Sequence, residues 1–369
     1  MGSGGSGTLG LCLCRLVYSL DTNHVAVSQG LDMKKWWVAF VDALPRRLVL
    51  LDVGARGGLQ RPWSMLQRGV YQILVEPDPD EAAELEESLR SEDGQVVQHA
   101  LWNDQVLLPL YLTANRRCSS VFRPNFRLLD QFPESDRFKV EGQVSLETRR
   151  VDDLVDSGLM RPPDFAKIDT QGADLAVLSG GRRTFSKELV GLEVEVEFAR
   201  LYEGQPLFTD IDKFVSKELG LELWDIRKTY WKYRGGEVLG GPKGRLVHGD
   251  ALYFRPIDSL KTWFDSLGPD AAREKLALLV MSACAYGYAD FALAAVEVSQ
   301  AADFLSSSEV ERLKGVLHKY GRGFRPLANG HAALYIVLDT VARIFKPSHH
   351  GWASIGQDLG SRRRGAFWT

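Results

Sequence analysis

Leu51-Asp52-Val53-Gly54-Ala55-Arg56-Gly57-Gly58 extends an apolar run, Leu48–Val53, that has the composition of a buried strand. Glycines at a strand-to-helix turn let the backbone approach a nucleotide-like ligand closely, which a Cβ atom would obstruct. A dinucleotide fingerprint would require glycine in place of both Arg56 and Leu59. The stretch therefore predicts a nucleotide-type cofactor at the end of the first strand and argues against NAD.

Strand-like runs alternate with helical patterns downstream of Arg47, which is typical of a parallel sheet with crossover helices. The seven runs are Leu48–Val53, Tyr71–Val75, Val96–Ala100, Phe165–Asp169, Val190–Phe198, Leu221–Ile226 and Ala251–Phe254. No clear helical pattern separates the last two runs. We therefore predict an α/β, Rossmann-like, seven-stranded sheet with an antiparallel last strand.

Beyond Pro256 the strand patterns give way to helical ones, each with Asp, Ser or Asn near its start. The predicted helices span 258–266, 270–286, 290–304, 307–319 and 329–345. We divide the chain into a leader (1–33), a cofactor-binding domain (34–256) and an all-helical C-terminal module (257–369). The module is a candidate for packing support or for contacts in a homo-oligomer.

Composition excludes several classes of protein. The chain has 369 residues, of which 45% are hydrophobic and 25% charged, so it can bury a core and is not a disordered protein. Its net charge of −3 gives no reason to expect a nucleic-acid partner. Four cysteines without zinc-ligand spacing predict a reducing, cytoplasmic location, and no apolar run is long enough to predict a membrane span.

Two acids at strand ends indicate which cofactor binds. Asp52 would disfavour a pyrophosphate but suits the cationic methionine moiety of S-adenosylmethionine. Glu76 ends the second strand, where a carboxylate can accept hydrogen bonds from both ribose hydroxyls of an adenosine. The third strand leads into His99–Asp104, the segment expected to flank adenine. Glu76 alone is also explained as a helix-capping acid. Asp78, followed by Pro79, Asp80 and Glu81, predicts a capped start for the next helix.

Eight ordered sequence blocks resemble the FkbM family of S-adenosylmethionine-dependent methyltransferases, over roughly residues 34 to 255. The blocks are DVGA at 52–55, VEP at 75–77, CSSV at 118–121, VDDL at 151–154, KIDTQG at 167–172, EVEF at 195–198, LYEGQPLF at 201–208 and GDALY at 249–253. The resemblance implies a class I methyltransferase fold and O-methylation of a hydroxyl on a sugar, glycan or polyketide-type natural product. Arg56 departs from the small polar residue common in this family.

We expect S-adenosylmethionine to contact residues of the glycine loop, the strand ends and the adenine-flanking segment. These are Asp52, Gly54, Ala55, Arg56, Gly58, Glu76, Ala100, Leu101 and Asp169.

Asp169, at the end of the fourth strand, is the candidate base for the acceptor hydroxyl, with a structural cap of the next helix as the alternative. Glu193, Glu195 and Glu197 share one face of the fifth strand, where three like charges are costly unless paired. We predict that Glu195 takes part in catalysis within a hydrogen-bonded carboxylate cluster. A divalent cation held by this cluster is a less favoured alternative. His248 is a second possible base.

Residues 115–139 carry six basic side chains against three acidic ones, with phenylalanines interleaved. Such a segment forms either a lid over an anionic small-molecule or glycan substrate, or a solvated loop anchored by buried phenylalanines. The aromatic run at 230–234 suits stacking on a sugar ring, with an ordinary packed loop as the alternative. The predicted substrate contacts are Ser119, Ser120, Arg123, Gln171 and Trp231.

The leading functional hypothesis is an O-methyltransferase. The alternative from another class is a catalytically silent protein with the cofactor fold, acting as an interaction module through its helical tail. The presence of Asp52, Glu76 and Asp169 favours the enzyme, since a silent protein has no need of them.

Overall fold

The computed structural model describes residues 38, 40–42, 44–55, 57–236, 238, 244–321, 337–338, 340–341 and 351–355. The predicted leader (1–33) and almost all of the predicted helix 329–345 lie outside these residues.

The described residues form eleven strands in two sheets. In chain order they are β1 (Leu48–Val53), β2 (Val70–Val75), β3 (Gly94–Val97), β4 (Ala100–Leu101), β5 (Leu107–Thr113), β6 (Val140–Arg149), β7 (Phe165–Ile168), β8 (Gly191–Glu197), β9 (Glu222–Trp231), β10 (Arg245–Phe254) and β11 (Ala353–Ile355). The central sheet has the order β11-β9-β10-β8-β7-β1-β2-β3.

The central sheet confirms the class I methyltransferase architecture. Strands β3, β2, β1, β7 and β8 run parallel, whereas β10 pairs antiparallel with both β8 and β9. Every residue of β1, β2, β7 and β8 is buried, as expected for strands covered on both faces. The prediction of seven strands omitted β11, a short antiparallel strand at the edge beside β9.

A second sheet, with the order β4-β6-β5, was not predicted. Strand β5 contains Pro109, which is tolerated here because β5 is an edge strand. Strand β6 is largely exposed and polar, so it lacks the apolar run of a buried strand. The predicted strand Val96–Ala100 is divided: β3 ends at Val97, and Ala100 belongs to β4 of the second sheet.

The α-helices are α1 (Pro79–Ser88), α2 (Phe126–Leu129), α3 (Val151–Asp156), α4 (Asp174–Gly180), α5 (Arg182–Glu188), α6 (Phe208–Phe214), α7 (Ile257–Leu267), α8 (Pro269–Ala285), α9 (Ala289–Ala301) and α10 (Ser307–Gly321). As predicted, Asp78 caps α1: its side chain accepts hydrogen bonds from the backbone N–H groups of Asp80 and Glu81. The four predicted C-terminal helices before residue 321 are confirmed as α7 to α10.

Helices α7 to α10 share a hydrophobic core with one face of the central sheet. Phe165 and Phe254 of the sheet belong to the same buried cluster as Leu279 and Val296 of the helices. The connection between β1 and β2 contains two 3-10 helices, Trp63–Met65 and Gln67–Gly69, and its buried Trp63 and Leu66 belong to the same cluster. The domain boundary after Pro256 stays a prediction, but the core is continuous across it.

A buried ion pair joins the two parts as well. Lys275 of α8 donates through Nζ to Oδ1 of Asp164 at 2.8 Å, directly before β7. Arg46 reaches the other oxygen of Asp164 at 2.6 Å. These three buried or half-buried charges lie at the amino-terminal edge of the parallel strands, opposite the edge where ligands bind in such sheets.

Truncation after Pro256 tests this integration. We expect the shortened chain to lose cooperative unfolding, because it exposes the apolar face formed by Phe165, Leu252 and Phe254. Urea unfolding followed by circular dichroism, with the full chain as reference, measures this.

A matched pair of point variants measures the same core in the intact chain. Leu279→Ala should lower the free energy of unfolding by about 2 to 5 kcal/mol. Leu159→Ala, at a side chain that is 64% exposed, should change it by less than about 0.5 kcal/mol. A truncated chain that unfolds cooperatively, with an unaffected Leu279 variant, would contradict a shared core.

Candidate active site

One face of the central sheet changes from apolar to charged along its parallel strands. On β1, Leu50 is followed on the same face by Asp52, and on β7, Phe165 is followed by Lys167. Asp52 is in register with Lys167, and Lys167 with Glu193 of β8. The carboxyl ends of the strands, where open α/β sheets bind ligands, therefore carry a row of adjacent charges.

A cavity of about 490 Å³ opens at this end of the sheet. The predicted site residues in its lining are Gly54, Glu76, Ala100, Leu101, Ser119, Ser120, Asp169 and Gln171. It is also lined by His99 of the predicted adenine-flanking segment, and by residues that we did not predict as contacts, among them Gly57, Gln60, Asp78, Leu110, Leu112, Arg116, Arg117, Leu146 and Thr170. The strand ends thus meet the second sheet and the turn after β5 around one space.

Gly54 lies where no other residue fits. Its φ is +79°, and a Cβ atom would overlap the carbonyl oxygen of Asp169. Its N–H donates to the carbonyl of Val75 at 3.1 Å, and so does the N–H of the buried Ala55 at 3.4 Å. The ends of β1, β2 and β7 are therefore held together at Gly54.

The rest of the glycine loop is more open. Gly57 and Gly58 have φ of +87° and +73°, and a Cβ atom at either would meet nothing within 4 Å. Gly57 lines the cavity, so free space lies beside this part of the loop. Arg56, a predicted cofactor contact, lies outside the described residues.

Asp52 lies in a different setting from the one we predicted. Its carboxylate is 1% exposed and accepts a hydrogen bond from Nζ of Lys167 at 3.3 Å. Burial raises the pKa of the Asp52 carboxyl, and Lys167 opposes this. Asp52 is absent from the lining of the cavity, so in this structure its partner is a lysine of the neighbouring strand.

Glu76 follows β2 and lines the cavity together with Pro77 and Asp78. It is buried, and its Oε1 accepts the backbone N–H of Asp78 at 3.0 Å. Ala100 and Leu101 of β4 lie in the same lining. Glu76, predicted to bind the ribose, and Ala100 and Leu101, predicted to flank the adenine, therefore line the same cavity.

Asp169 and Gln171 form the polar centre of the site. Gln171 donates through Nε2 to Oδ1 of Asp169 and to Oε2 of Glu195, both at 3.0 Å. Within the described chain, the second oxygen of Asp169 receives no hydrogen bond, and Asp169 is half-buried against the cavity. The arrangement holds a carboxylate in place while one of its oxygens stays available to a ligand proton.

The conformation of Gln171 is itself fixed by its neighbours. Its φ of +54° is unusual for a residue with a side chain and costs of order 1 kcal/mol. Ser120 donates through Oγ to its carbonyl at 2.7 Å, and the Tyr202 hydroxyl donates to its Oε1 at 3.0 Å. The same hydroxyl is 2.9 Å from the carbonyl of Cys118. The fully buried Tyr202 thus connects the Gln171 loop to the turn after β5.

His248 belongs to β10 rather than to a preceding loop, because β10 begins at Arg245 and not at the predicted Ala251. Its Nδ1 is 3.2 Å from Oε1 of Glu195. Burial lowers the pKa of His248, and burial together with Asp169 raises that of Glu195 well above its usual range. Glu195 and His248 contact each other behind Asp169 and Gln171, and neither lines the cavity.

Two more carboxyl groups complete the cluster behind the site. Burial and the neighbouring acids raise the pKa of Glu197 well above its usual range, and its Oε2 has no described hydrogen-bond partner. Asp174 accepts hydrogen bonds from the N–H groups of Thr170 and Gly172, yet burial and Asp169 raise its pKa to about 7. The cluster therefore keeps protons that exposed acids would lose.

The predicted substrate contacts are only partly brought together. Ser119, Ser120 and Gln171 line the cavity. Arg123 instead places its guanidinium 4.9 Å from the ring centre of Tyr111. Trp231 differs from the prediction: it is 4% exposed in a packed cluster of aromatic side chains, so in this structure a sugar has no access to its ring.

Sequence reasoning missed the apolar part of the cavity, formed by Leu110, Leu112 and Leu146, because it missed the second sheet. It also assigned no role to Tyr202. The sequence analysis counted Arg116 and Arg117 among the basic residues of 115–139 but did not predict them as contacts. Because they directly precede the predicted contacts Ser119 and Ser120, their position in the sequence could have identified them.

Residues 52–223 match the family described as methyltransferase FkbM domain. This segment, a little less than half of the chain, is similar to the FkbM methyltransferase domain. The 2-O-methyltransferase NoeI of Sinorhizobium fredii is 28% identical over 181 residues, which cover 46% of this chain and 72% of NoeI.

Two solved methyltransferases are similar at low identity. The FkbM methyltransferase of Methylobacillus flagellatus is 14% identical with a TM-score of 0.33, and the match covers 66% of this chain and 58% of that one. The magnesium protoporphyrin IX methyltransferase of Synechocystis, solved with bound S-adenosylmethionine, is 11% identical with a TM-score of 0.30, covering 69% and 87%. This chain therefore spans little more than half the length of the Methylobacillus protein.

The described residues of this protein were compared with the requirements of a membrane-spanning helix and of a metal site. None of its described helices is long and apolar enough to cross a membrane. No three His, Cys, Asp or Glu side chains among the described residues are arranged so that they could hold a metal ion.

Asp174→Asn should flatten the dependence of stability on pH. The folded state raises the pKa of Asp174 from 3.8 to about 7, so it keeps a proton that the unfolded chain loses. The associated stability is complete below pH 3.8 and is lost as the pH rises through 7, at up to about 1.4 kcal/mol per pH unit. Asparagine cannot titrate and removes this contribution.

Urea unfolding at half-unit steps from about pH 4 to 7.5 measures the effect. Asp153→Asn, at an exposed residue of α3, is the matched control and should keep the wild-type slope. An Asp174 variant with the wild-type slope would show that its carboxyl is ionised throughout this range.

Proposed function

We propose that this protein transfers the methyl group of S-adenosylmethionine to a hydroxyl group of a sugar, a glycan or a polyketide-type natural product. The observation that carries the proposal is the half-buried Asp169 in the cavity, with one oxygen fixed by Gln171 and the other available. A hydroxyl acceptor needs a base for its proton, and a carboxylate in this position can supply one. The similarity to NoeI, a 2-O-methyltransferase, supports oxygen as the acceptor atom.

The cavity has features that fit the cofactor. Glycines with positive φ and open space beside them form one boundary, and the buried Glu76 lies at the end of the adjacent strand. Glu76 would bind the ribose hydroxyls, while Ala100 and Leu101 would flank the adenine. Gly54, Ala55 and Gly58 would hold the loop in the shape that admits the cofactor. When bound, S-adenosylmethionine supplies an electrophilic methyl group.

The chain's own residues then have distinct tasks. Asp169 accepts the proton of the acceptor hydroxyl through the oxygen that Gln171 leaves available. Gln171 keeps the carboxylate oriented, since both of its amide hydrogens are engaged, one by Asp169 and one by Glu195. Glu195 with His248 provides a buried, hydrogen-bonded support for this amide. Ser119 and Ser120 lie where they can contact the acceptor.

The predicted reducing, cytoplasmic location and a homo-oligomer through the C-terminal helices also stay part of the proposal. The two described cysteines, Cys118 and Cys284, are buried and no disulfide links them to each other, which is compatible with such a location.

Glu76→Gln should weaken binding of S-adenosylhomocysteine, measured by calorimetric titration. Loss of a charge-assisted hydrogen bond of about 1.5 to 3 kcal/mol corresponds to a roughly tenfold to hundredfold higher Kd. Glu84→Gln, at an exposed residue of α1, should leave the Kd unchanged. Failure of the wild-type protein to bind S-adenosylhomocysteine would refute the assignment of the cavity to the cofactor.

Asp169→Asn should abolish methyl transfer but leave the binding of S-adenosylhomocysteine intact. Without a base, turnover should fall by about 10²-fold or more. The assay is transfer of radiolabelled methyl to a panel of sugar and polyketide hydroxyl acceptors, with Asp153→Asn as the control. An Asp169 variant with wild-type turnover would rule out its role as the base.

A further inference from the structure

We propose that the acceptor carries an oxyanion, a phosphate or a carboxylate, close to the hydroxyl that is methylated, and that Arg116 and Arg117 bind it. The proposal rests on the methyltransferase function proposed above and narrows its substrate class.

The cavity has two chemically distinct ends. Glu76, His99 and Leu101 line the end assigned to the adenosine. Arg117 lies three residues before Ser120, whose hydroxyl contacts the carbonyl of Gln171 beside Asp169. The turn that carries the arginines therefore adjoins the residues around Asp169, where the acceptor hydroxyl must meet its base.

Arg116 and Arg117 are the cationic side chains available to a ligand in this cavity. No other Lys or Arg is among the described residues that line it. Arg116 approaches Glu141 only to 3.9 Å, beyond hydrogen-bond distance, and both residues are exposed. The described residues provide no ion-pair partner for the guanidinium of Arg117.

Other basic residues of the segment are already engaged. The guanidinium of Arg137 lies 4.7 to 4.9 Å from the ring centres of Phe138, Trp231 and Trp352. That of Arg123 lies against Tyr111. Lys139 pairs with Asp136 at 2.9 Å. Of the basic side chains of residues 115–139, Arg116 and Arg117 line the cavity, whereas Arg123 and Arg137 pack on aromatic rings and Lys139 forms a surface ion pair.

The turn that carries the two arginines is firmly held. Asn115 accepts the N–H of Arg117 through its side chain at 3.1 Å, and Thr113 donates to the carbonyl of Asn115 at 2.7 Å. Cys118 is buried, and its carbonyl accepts the hydroxyl of Tyr202. A fixed turn reduces the entropy lost when the guanidinium groups bind a ligand.

Charge balance gives the arginines a reason to face this space. Asp169 lines the cavity, so an anionic acceptor would be repelled by this carboxylate on approach. Two guanidinium groups offset this repulsion, and their planar forks match the geometry of a phosphate or carboxylate. A neutral acceptor would lack the charge-assisted part of this interaction.

Calorimetric titration of the protein saturated with S-adenosylhomocysteine tests the proposal. The probes are two pairs of sugars that differ in one oxyanion: glucose 6-phosphate against glucose, and methyl glucuronide against methyl glucoside. We expect at least one anionic probe to bind about tenfold or more tightly than its neutral partner. The two pairs separate a phosphate from a carboxylate.

Two double variants with the same loss of charge identify the contact. Arg116→Ala with Arg117→Ala should abolish the preference for the anionic probe. Arg127→Ala with Lys139→Ala removes two positive charges from the same segment at residues that do not line the cavity, and should retain the preference. An equal loss in both double variants would mean that only the general field of the segment matters, which overturns the proposal.

The rival ligand for the arginines is the carboxylate of the cofactor itself. Methylthioadenosine, which lacks the methionine amino acid, distinguishes the two. If the Arg116 and Arg117 variant loses affinity for S-adenosylhomocysteine but not for methylthioadenosine, the arginines bind the cofactor and the proposal is overturned. Equal binding of anionic and neutral probes by the wild-type protein also overturns it, whereas the proposed function fails only if S-adenosylhomocysteine does not bind.

Discussion

The close approach of Gly54 to the backbone of Asp169 is the constraint on which the site depends. No side chain fits at Gly54, because a Cβ atom would overlap the Asp169 carbonyl. The N–H of Gly54 also bonds to the carbonyl of Val75, the residue directly before Glu76. One tight junction therefore sets the distance between the proposed base and the proposed ribose-binding acid, which come from strands 90 residues apart in sequence. A bulkier residue would separate β1 from β7 and displace both functional groups together.

This junction lies beside an unusual concentration of buried acids, and the fold offsets their cost in two ways. Some charge is neutralised by cations on adjacent strands: Lys167 bonds to Asp52 and also lies in register with Glu193. Other acids keep their protons to a higher pH than exposed acids do, since burial and mutual repulsion raise the pKa values of Glu195 and Glu197. Asp169 lies at the cavity, and within the described chain its second oxygen receives no hydrogen bond. Its neighbours thus lower the cost of placing the proposed base beside a largely buried acidic cluster.

The sequence predicted the features that depend on neighbouring residues better than those that depend on residues distant in the chain. Strands β1, β2, β7 and β8 were recognisable because burial on both faces demands continuous apolar runs, and the capping of α1 by Asp78 depends on three neighbouring residues. Strands β5 and β6 were missed because their stability comes from pairing with each other, on a surface that is half polar and contains Pro109. Long-range packing decided the individual side chains: Trp231 is buried by aromatic partners that lie about 100 residues earlier and later in the chain, and Asp52 is occupied by a lysine from β7. The predicted positions of Asp169, Glu76 and the glycine loop at the cavity agree with the structure. The carboxyl ends of parallel strands lie at the same edge of the sheet, independent of how individual side chains pack.

The segment that matches the FkbM family ends at residue 223, but the structural unit does not. Strand β10 fills the place between β8 and β9, and it contributes His248, which contacts Glu195 behind the proposed base. Helix α8 leads into Tyr286, whose hydroxyl donates to Glu193 on the same face of β8. Without these contacts Glu193 and Glu195 would be buried acids with fewer partners, and Glu195 holds the amide that orients Asp169. The C-terminal helices therefore complete both the hydrophobic cover of the sheet and the hydrogen bonding of its acidic strand, so they pack as one unit with the segment that matches the FkbM family.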